Sequence, residues 1–205
     1  MCYLLQDLGD VSLFELLKSA RDVGEYTSEQ TELLEKVIRR LPELQFMGGQ
    51  GMYFKVCFPC ESFDRRSIFW DLNYFKYSFL KATGLEFHEA KLEDDFDRLA
   101  SVLLADAPYN TFMYRDFQAR NVMVKDGEPW LIDFQGGRRG PVEYDVASFL
   151  WQARAAYPAQ LRAHLIDTYI ESLDRYRKTE GDSFRRGLMH FVLFRTLQVL
   201  GAYGF

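Results

Sequence analysis

The stretch from residue 112 to residue 134 most constrains the fold of this chain. After an apolar start and a polar loop, it contains two apolar β-type runs, 122–124 and 130–132. The turn between them, Lys-Asp-Gly-Glu-Pro, carries an Asp-Gly pair, which is typical of an antiparallel hairpin. A hairpin of this size returns Asp133 to a position beside Asn121.

The polar residues of this stretch suggest phosphoryl transfer. Four residues separate Asp116 from Asn121, and Asp133 follows twelve residues after Asn121. Mg²⁺ prefers hard oxygen ligands and shares them with substrate phosphates, so we expect Asn121 and Asp133 to hold Mg²⁺. Asp116 would accept or orient the proton of an attacking hydroxyl. Taken singly, each residue favours an ordinary structural role, as a loop Asp, a turn Asn or a capping Asp, and only the joint spacing favours a site.

The same stretch resembles the aminoglycoside phosphotransferase/choline kinase family, a branch of the protein-kinase-like fold, and most closely its bacterial N-acetylmuramate/N-acetylglucosamine kinases. The resemblance rests on three segments, residues 114–121, 132–137 and 140–148. It implies an ATP- and Mg²⁺-dependent kinase with Asp116 as the catalytic base. It also implies that Asp145 braces the catalytic loop, with Arg115 and Arg120 in support. Tyr114 stands where the family usually has His.

The first ten residues are hinge-like in this resemblance. A short strand over residues 2–5 would join the two lobes of a kinase, and the backbone around Gln6, Asp7 and Leu8 would meet adenine. An ordinary edge strand is the alternative. If this is the hinge, the sequence lacks the small lobe with its Gly-rich loop and lysine. We therefore expect a kinase-like large lobe over residues 1–205, with loops at 112–145, completed by a partner chain or a missing small lobe.

The acceptor pocket is expected on the helix that Asp64 opens and Gly84 closes. Asp71, Asn73 and Tyr74 are candidates for binding sugar hydroxyls or an amide, although for any one of them a core aromatic or a solvated polar face is the simpler explanation. Arg138, in the loop after Asp133, is a candidate for phosphate or an anionic substrate. The alternative for this arginine is structural pairing.

Composition limits the other possibilities. The 205 residues carry a net charge of −5, which gives no support for nucleic acid or an anionic membrane surface as a partner. No apolar run approaches the roughly 20 residues of a membrane-spanning helix. Three cysteines, with no disulfide framework and no signal peptide, indicate a cytoplasmic protein. Cys57 and Cys60 form a C-x-x-C pair, whose metal or redox interpretation lacks the further ligands or context it needs.

These patterns predict an α+β protein, mainly helical, with small β-hairpins at the catalytic edge. The leading function is ATP-dependent phosphorylation of a hydroxyl on a small polar molecule, most simply an N-acetylhexosamine-type sugar. One alternative is a non-catalytic, pseudokinase-like lobe that binds a ligand or partner. Another is an aminoglycoside or choline-type kinase.

Overall fold

Eight α-helices and four short strands make up the part of the chain that the computed structural model describes, residues 6–204. The helices are α1 Leu13–Leu16, α2 Lys18–Val23, α3 Ser28–Met47, α4 Arg65–Tyr74, α5 Glu89–Leu103, α6 Val142–Leu150, α7 Ala159–Leu173 and α8 Gly181–Tyr203. The strands are β1 Phe112–Met113, β2 Val122–Lys125, β3 Glu128–Leu131 and β4 Arg138–Arg139. The predicted strand at residues 2–5 lies outside the described residues.

Two antiparallel strand pairs frame the predicted catalytic stretch. In the hairpin, β2 pairs with β3 from Val122 opposite Leu131 to Lys125 opposite Glu128. Its turn residues Asp126 and Gly127 have φ values of 53° and 74°, the left-handed conformation that a two-residue hairpin turn requires. In the second pair, β1 lies beside β4, which the sequence patterns did not reveal.

The core is helical, and α6 lies at its centre. All but one of the nine residues of α6 are buried, and Val146, Ala147 and Phe149 are completely shielded from solvent. Helix α6 packs against α8, which also packs against α4, and it contacts α3, which packs against α7. This burial fixes the position of α6, and with it the position of Asp145.

At two helix boundaries the structure departs from the local sequence pattern. Helical apolar spacing up to Leu41 followed by Pro42 predicts a helix end near Leu41 and Pro42, but α3 continues to Met47 with Pro42 inside it. Proline removes one backbone hydrogen bond, but Leu41, Pro42 and Gln45 are buried on the face that packs into the core, and this burial offsets the loss. Ser12 and Glu15 form a capping-box pattern that predicts one helix from Leu13 to about Ala20, but this helix is broken at Leu17, whose ψ of 9° is not helical.

The predicted helix from Asp64 to Gly84 has the expected ends. Asp64 caps α4 in a reciprocal capping box with Ser67, and Gly84 ends the segment with a φ of 71°. Between α4 and Gly84 the chain widens into a π-helical turn, Phe75–Leu80, and then tightens into a 3₁₀ turn, Lys81–Thr83. No helix within residues 6–204 is both long and apolar enough to cross a lipid bilayer.

Candidate active site

The loop after β1 is fixed by a single buried carboxylate. Asp145 is completely buried, and its two oxygens accept hydrogen bonds from the backbone N–H groups of Tyr114 and Arg115, both at 2.8 Å. Arg115 has a φ of 77°, an unfavourable conformation for a residue with a side chain. The two hydrogen bonds hold this strained peptide immediately before Asp116, so the direction of Asp116 is set by the backbone.

Asp116 lies half-buried against a glycine of the loop after the hairpin. A Cβ added to Gly136 would lie 3.3 Å from Asp116 Oδ2, closer than most real contacts of this kind. The Asn121 side chain closes the other side, donating from Nδ2 to the backbone oxygen of Asp116 at 2.8 Å. Gly136 and Asn121 therefore enclose Asp116 closely, while its carboxylate remains accessible to solvent.

Asn121 and Asp133 lie side by side, as the length of the hairpin predicts. Asn121 Nδ2 is 3.4 Å from Asp133 Oδ2, and Gln135 Nε2 donates to Asp133 Oδ1 at 2.6 Å. Within residues 6–204 no hydrogen bond reaches Asn121 Oδ1, so this amide oxygen is available to a ligand. Asp133 has a φ of 73°, a second strained position in the same site.

The chemistry of this pair fits a magnesium ion. It offers one amide oxygen and one exposed carboxylate, both hard ligands. No group of three His, Cys, Asp or Glu side chains suited to a metal is found among residues 6–204. A cation held by Asn121 and Asp133 would therefore complete its coordination with water and phosphate oxygens, the usual arrangement for Mg²⁺ in phosphoryl transfer.

Tyr114 joins the loop that carries Asp116 to the segment that carries Asp133. Its hydroxyl donates to the backbone oxygen of Ile132, the residue before Asp133. The ring is 2% exposed and packs edge-to-face against Phe112 and Phe117. Burial raises the pKa of the Tyr114 phenol well above its usual range, so the group stays protonated and remains a donor. At the position where the family usually has His, this chain thus has a neutral tyrosine that links the two segments structurally.

The three predicted arginines have different surroundings. Arg120 is exposed and donates to Gln118 Oε1 at 2.7 Å, on the outside of the loop. Arg138 is 3% exposed and donates to Cys60 Sγ at 2.9 Å, to the Phe58 oxygen at 3.2 Å and to the Gly136 oxygen at 3.1 Å. Its guanidinium therefore ties the Cys57–Cys60 segment to the loop after Asp133.

Arg115 and Arg138 also line a small cavity with Asp71 and Trp70. Its volume is about 30 Å³, the room of about one water molecule. Gln198 Nε2 donates to Asp71 Oδ2 at 2.7 Å, and burial raises the pKa of the Asp71 carboxyl. Of the residues predicted for an acceptor pocket, the cavity brings together Asp71 and Arg138.

Asn73 and Tyr74 do not line this cavity. They belong to the last turn of α4, three and four residues after Trp70. The ring of Tyr74 lies close to Gly201 of α8, where an added Cβ would come within 3.0 Å of Tyr74 Cδ1. Their part in binding an acceptor stays a prediction.

The hinge-like residues Gln6, Asp7 and Leu8 precede α1 in irregular conformation. Asp7 Oδ1 accepts the N–H of Gly9 at 2.9 Å, and Lys125 Nζ donates to the Asp7 backbone oxygen at 2.8 Å. These contacts attach the segment to the hairpin beside Asn121. Contact between its backbone and a nucleotide base stays a prediction.

Sequence reasoning did not identify the roles of two residues that support the site. Gly136 belongs to the segment 132–137 that carries the family resemblance, but only the structure shows that its missing side chain makes room for Asp116. Gln45 sits in the apolar stripe of α3, where a polar residue four positions after Leu41 is the available signal. Its amide donates to Asp145 Oδ2 at 3.4 Å.

This fold and site define a protein-kinase-like large lobe. Among solved structures, choline kinase from Cryptosporidium parvum Iowa II superposes with a TM-score of 0.57 over 91% of this chain and 69% of that chain, at 11% identity. The sequence model of the phosphotransferase enzyme family (APH) matches residues 62–179, and the chain belongs to that family.

Curated relatives extend the similarity beyond that segment. The chain is 31% identical over 172 residues to an N-acetylmuramate/N-acetylglucosamine kinase of Neisseria meningitidis serogroup B, covering 82% of this chain and 48% of the relative. It is 25% identical over 206 residues to a protein of the same name from Pseudomonas putida, covering 98% of this chain and 56% of the relative. The chain thus spans about half the length of the curated relatives it matches.

Proposed function

We propose that this chain forms the catalytic lobe of an ATP- and Mg²⁺-dependent kinase that phosphorylates a hydroxyl of an N-acetylhexosamine-type sugar. The observation that carries the proposal is the convergence of Asp116, Asn121 and Asp133 on one edge of the lobe. Free thiols at Cys57 and Cys60 and the need for ATP fit a reaction in the cytoplasm. Its partners would be a nucleotide and a small neutral or anionic acceptor.

In the proposed reaction, Asp116 accepts the proton of the acceptor hydroxyl as its oxygen attacks the γ-phosphorus of ATP. The bond between the γ-phosphorus and the bridging β–γ oxygen breaks, and ADP leaves. Asn121 and Asp133 would hold Mg²⁺, which neutralises charge on the phosphate oxygens. The strained Arg115 peptide, held by Asp145, fixes the direction from which Asp116 meets the hydroxyl.

The charge of the small cavity supports a sugar over an amine-bearing acceptor. Arg115 and Arg138 contribute two guanidinium groups, whereas Asp71 contributes one carboxyl whose burial disfavours its charged form. The cavity itself has room for only about one water molecule, but its two guanidinium groups would repel a cationic aminoglycoside or choline that binds beside it, whereas a neutral or acidic sugar would not be repelled. This observation ranks the sugar kinase above the two cationic alternatives.

Calorimetric titration with ATP, with and without Mg²⁺, tests the first part of the proposal. We expect binding that depends on the metal. A second step measures phosphate transfer to N-acetylglucosamine, N-acetylmuramate, an aminoglycoside and choline. Phosphate transfer to the two sugars alone supports the proposal. Transfer to the aminoglycoside or to choline would instead favour an aminoglycoside or choline-type kinase. ATP binding without transfer to any acceptor would favour a non-catalytic binding lobe.

A further inference from the structure

Gln45 is a buried polar residue in the apolar face of α3. It is 1% exposed and lies four residues after the fully buried Leu41. Burying an amide costs free energy unless its donor and acceptor both find partners. Gln45 finds them outside its own helix: Nε2 donates to the Val142 oxygen at 3.0 Å and to Asp145 Oδ2 at 3.4 Å, while Oε1 accepts the hydroxyl of Tyr169 at 2.6 Å.

The chemistry of the neighbours sets the orientation of this amide. A backbone oxygen and a carboxylate oxygen are both acceptors, so the Gln45 NH₂ group must face Val142 and Asp145. The opposite orientation would place Oε1 against two other oxygens. The Tyr169 hydroxyl, also fully buried, then has Gln45 Oε1 as its acceptor. The three side chains form one directed chain of donors that ends on Asp145.

We propose that Gln45 and Tyr169 are positioning residues of the catalytic loop. Tyr169 orients the Gln45 amide, and Gln45 donates to the carboxylate of Asp145. That carboxylate in turn holds the two amides that precede Asp116. The chain therefore links α7 and α3 to the catalytic loop, although neither helix contributes a residue to the site itself.

The surroundings of Asp145 explain why an extra donor matters. Burial raises the pKa of this carboxyl to about 6, and the backbone amides, the Gln45 amide and the attraction of Arg195 on α8 oppose that rise. The other ionisable groups facing it are the phenols of Tyr114 and Tyr169, which burial keeps neutral, and Glu143 lies on the same helix. The pKa of Asp145 thus lies close to neutral pH, so each hydrogen-bond donor helps to keep the carboxylate charged.

The pH titration of the Tyr114 and Arg115 amides in ¹H–¹⁵N spectra of the full chain tests this proposal. Both amide protons point at Asp145, so their shifts report its protonation, with an expected wild-type midpoint near pH 6. Gln45→Met keeps the size of the side chain and removes the donor. We expect its midpoint to move upward by about one pH unit.

Tyr169→Phe is the second variant and carries the test if Gln45→Met does not fold. It leaves Gln45 in place but without its orienting hydroxyl, so we expect a smaller shift in the same direction. Ser172→Ala is the matched control, since Ser172 also donates a buried hydroxyl from α7 to α3, to the Arg39 oxygen at 2.9 Å, without reaching Asp145. Its midpoint should equal that of the wild type.

An unmoved midpoint in both Gln45→Met and Tyr169→Phe would overturn the proposal, as would an equal shift in Ser172→Ala, which would indicate a general effect of loosening the two helices. The proposal rests on the proposed function only where it names the loop catalytic. The amide titration needs no turnover, so if the wild type is inactive but the midpoints of the variants shift, the positioning chain stands while the kinase assignment gains no support.

Discussion

The hydroxyl of Tyr114 donates to the backbone oxygen of Ile132, and this bond joins the loop of Asp116 to the segment of Asp133. The two segments carry the proposed base and one proposed metal ligand. A neutral phenol, which stays protonated through the physiological range, makes this junction insensitive to pH. The pH sensitivity of the loop resides instead in Asp145.

Replacing Tyr114 with Phe should uncouple the two segments. The Ile132 oxygen loses its donor, at a cost of about 1 kcal/mol in the free energy of unfolding. We expect turnover to fall about tenfold, because Asp133 is no longer held at a fixed distance from Asp116. Tyr109→Phe is the control, since its hydroxyl donates to the Leu103 oxygen away from the site. Equal turnover in the Tyr114 and Tyr109 variants would contradict the role given to Tyr114.

Replacing Asp116 with Asn should abolish most of the transfer without affecting nucleotide binding. Asn keeps the shape of the side chain but cannot accept the acceptor's proton at neutral pH, so we expect turnover to fall about 10²–10⁴-fold. The dissociation constant for Mg²⁺-ATP should stay within about twofold of the wild type. Asp126→Asn, in the exposed turn of the same hairpin, serves as control. An active Asp116→Asn variant would remove Asp116 from its assigned role.

Replacing Asp133 with Asn should weaken metal-dependent nucleotide binding. Asn tolerates the φ of 73° at this position better than Ala, so the variant changes charge with little added strain. We expect Mg²⁺-dependent ATP affinity to fall at least about tenfold by calorimetry, with metal-free binding unchanged. If the Mg²⁺ dependence of the variant matched that of the Asp126→Asn control, Asp133 would not be a metal ligand.

Replacing Asp145 with Asn should alter how stability depends on pH. The pKa of Asp145 is raised from 3.8 to about 6 in the folded chain, so its stabilising contribution is full below pH 3.8 and is lost as pH rises through 6. Relative to the Asn variant, the wild type should therefore lose roughly 3 kcal/mol of unfolding free energy across this window. Denaturant unfolding at a series of pH values measures this difference.

Activity should change in the opposite direction over the same window. The two loop amides need the ionised carboxylate, so turnover of the wild type should rise as pH increases through about 6. Parallel curves for the wild type and Asp145→Asn in the unfolding experiment would show that Asp145 titrates at its ordinary pKa.

The sequence predicts the geometry of the hairpin between Asn121 and Asp133 better than it predicts the framework around it. The spacing of Asn121, the hairpin and Asp133 is local, so short-range geometry determines it. The continuation of α3 through Pro42 depends on burial against distant elements and overrides a local helix-breaking signal. Strand β4 is two residues long and pairs with β1 across the 24 positions 114–137, which no local pattern reveals.

Gln45 illustrates the same limit. A glutamine in an apolar stripe looks like an imperfection of the helix pattern, and only the assembled helices show that its amide reaches Asp145. Likewise, the buried position of Arg138 depends on Cys60 and Phe58, about 80 residues earlier. Contacts between residues distant in sequence decide both cases.

The hydrogen bonds from Tyr169 through Gln45 to Asp145 have a consequence for the order in which the lobe folds. Residues 45 and 169 are separated by 124 positions, so the chain of donors closes only after α3, α6 and α7 have come together. Until then the Asp145 carboxylate, which holds the strained Arg115 peptide, lacks the Gln45 donor. A nascent or partly unfolded chain would therefore hold Asp116 less firmly, and the site would be fully aligned only once the helical core is complete.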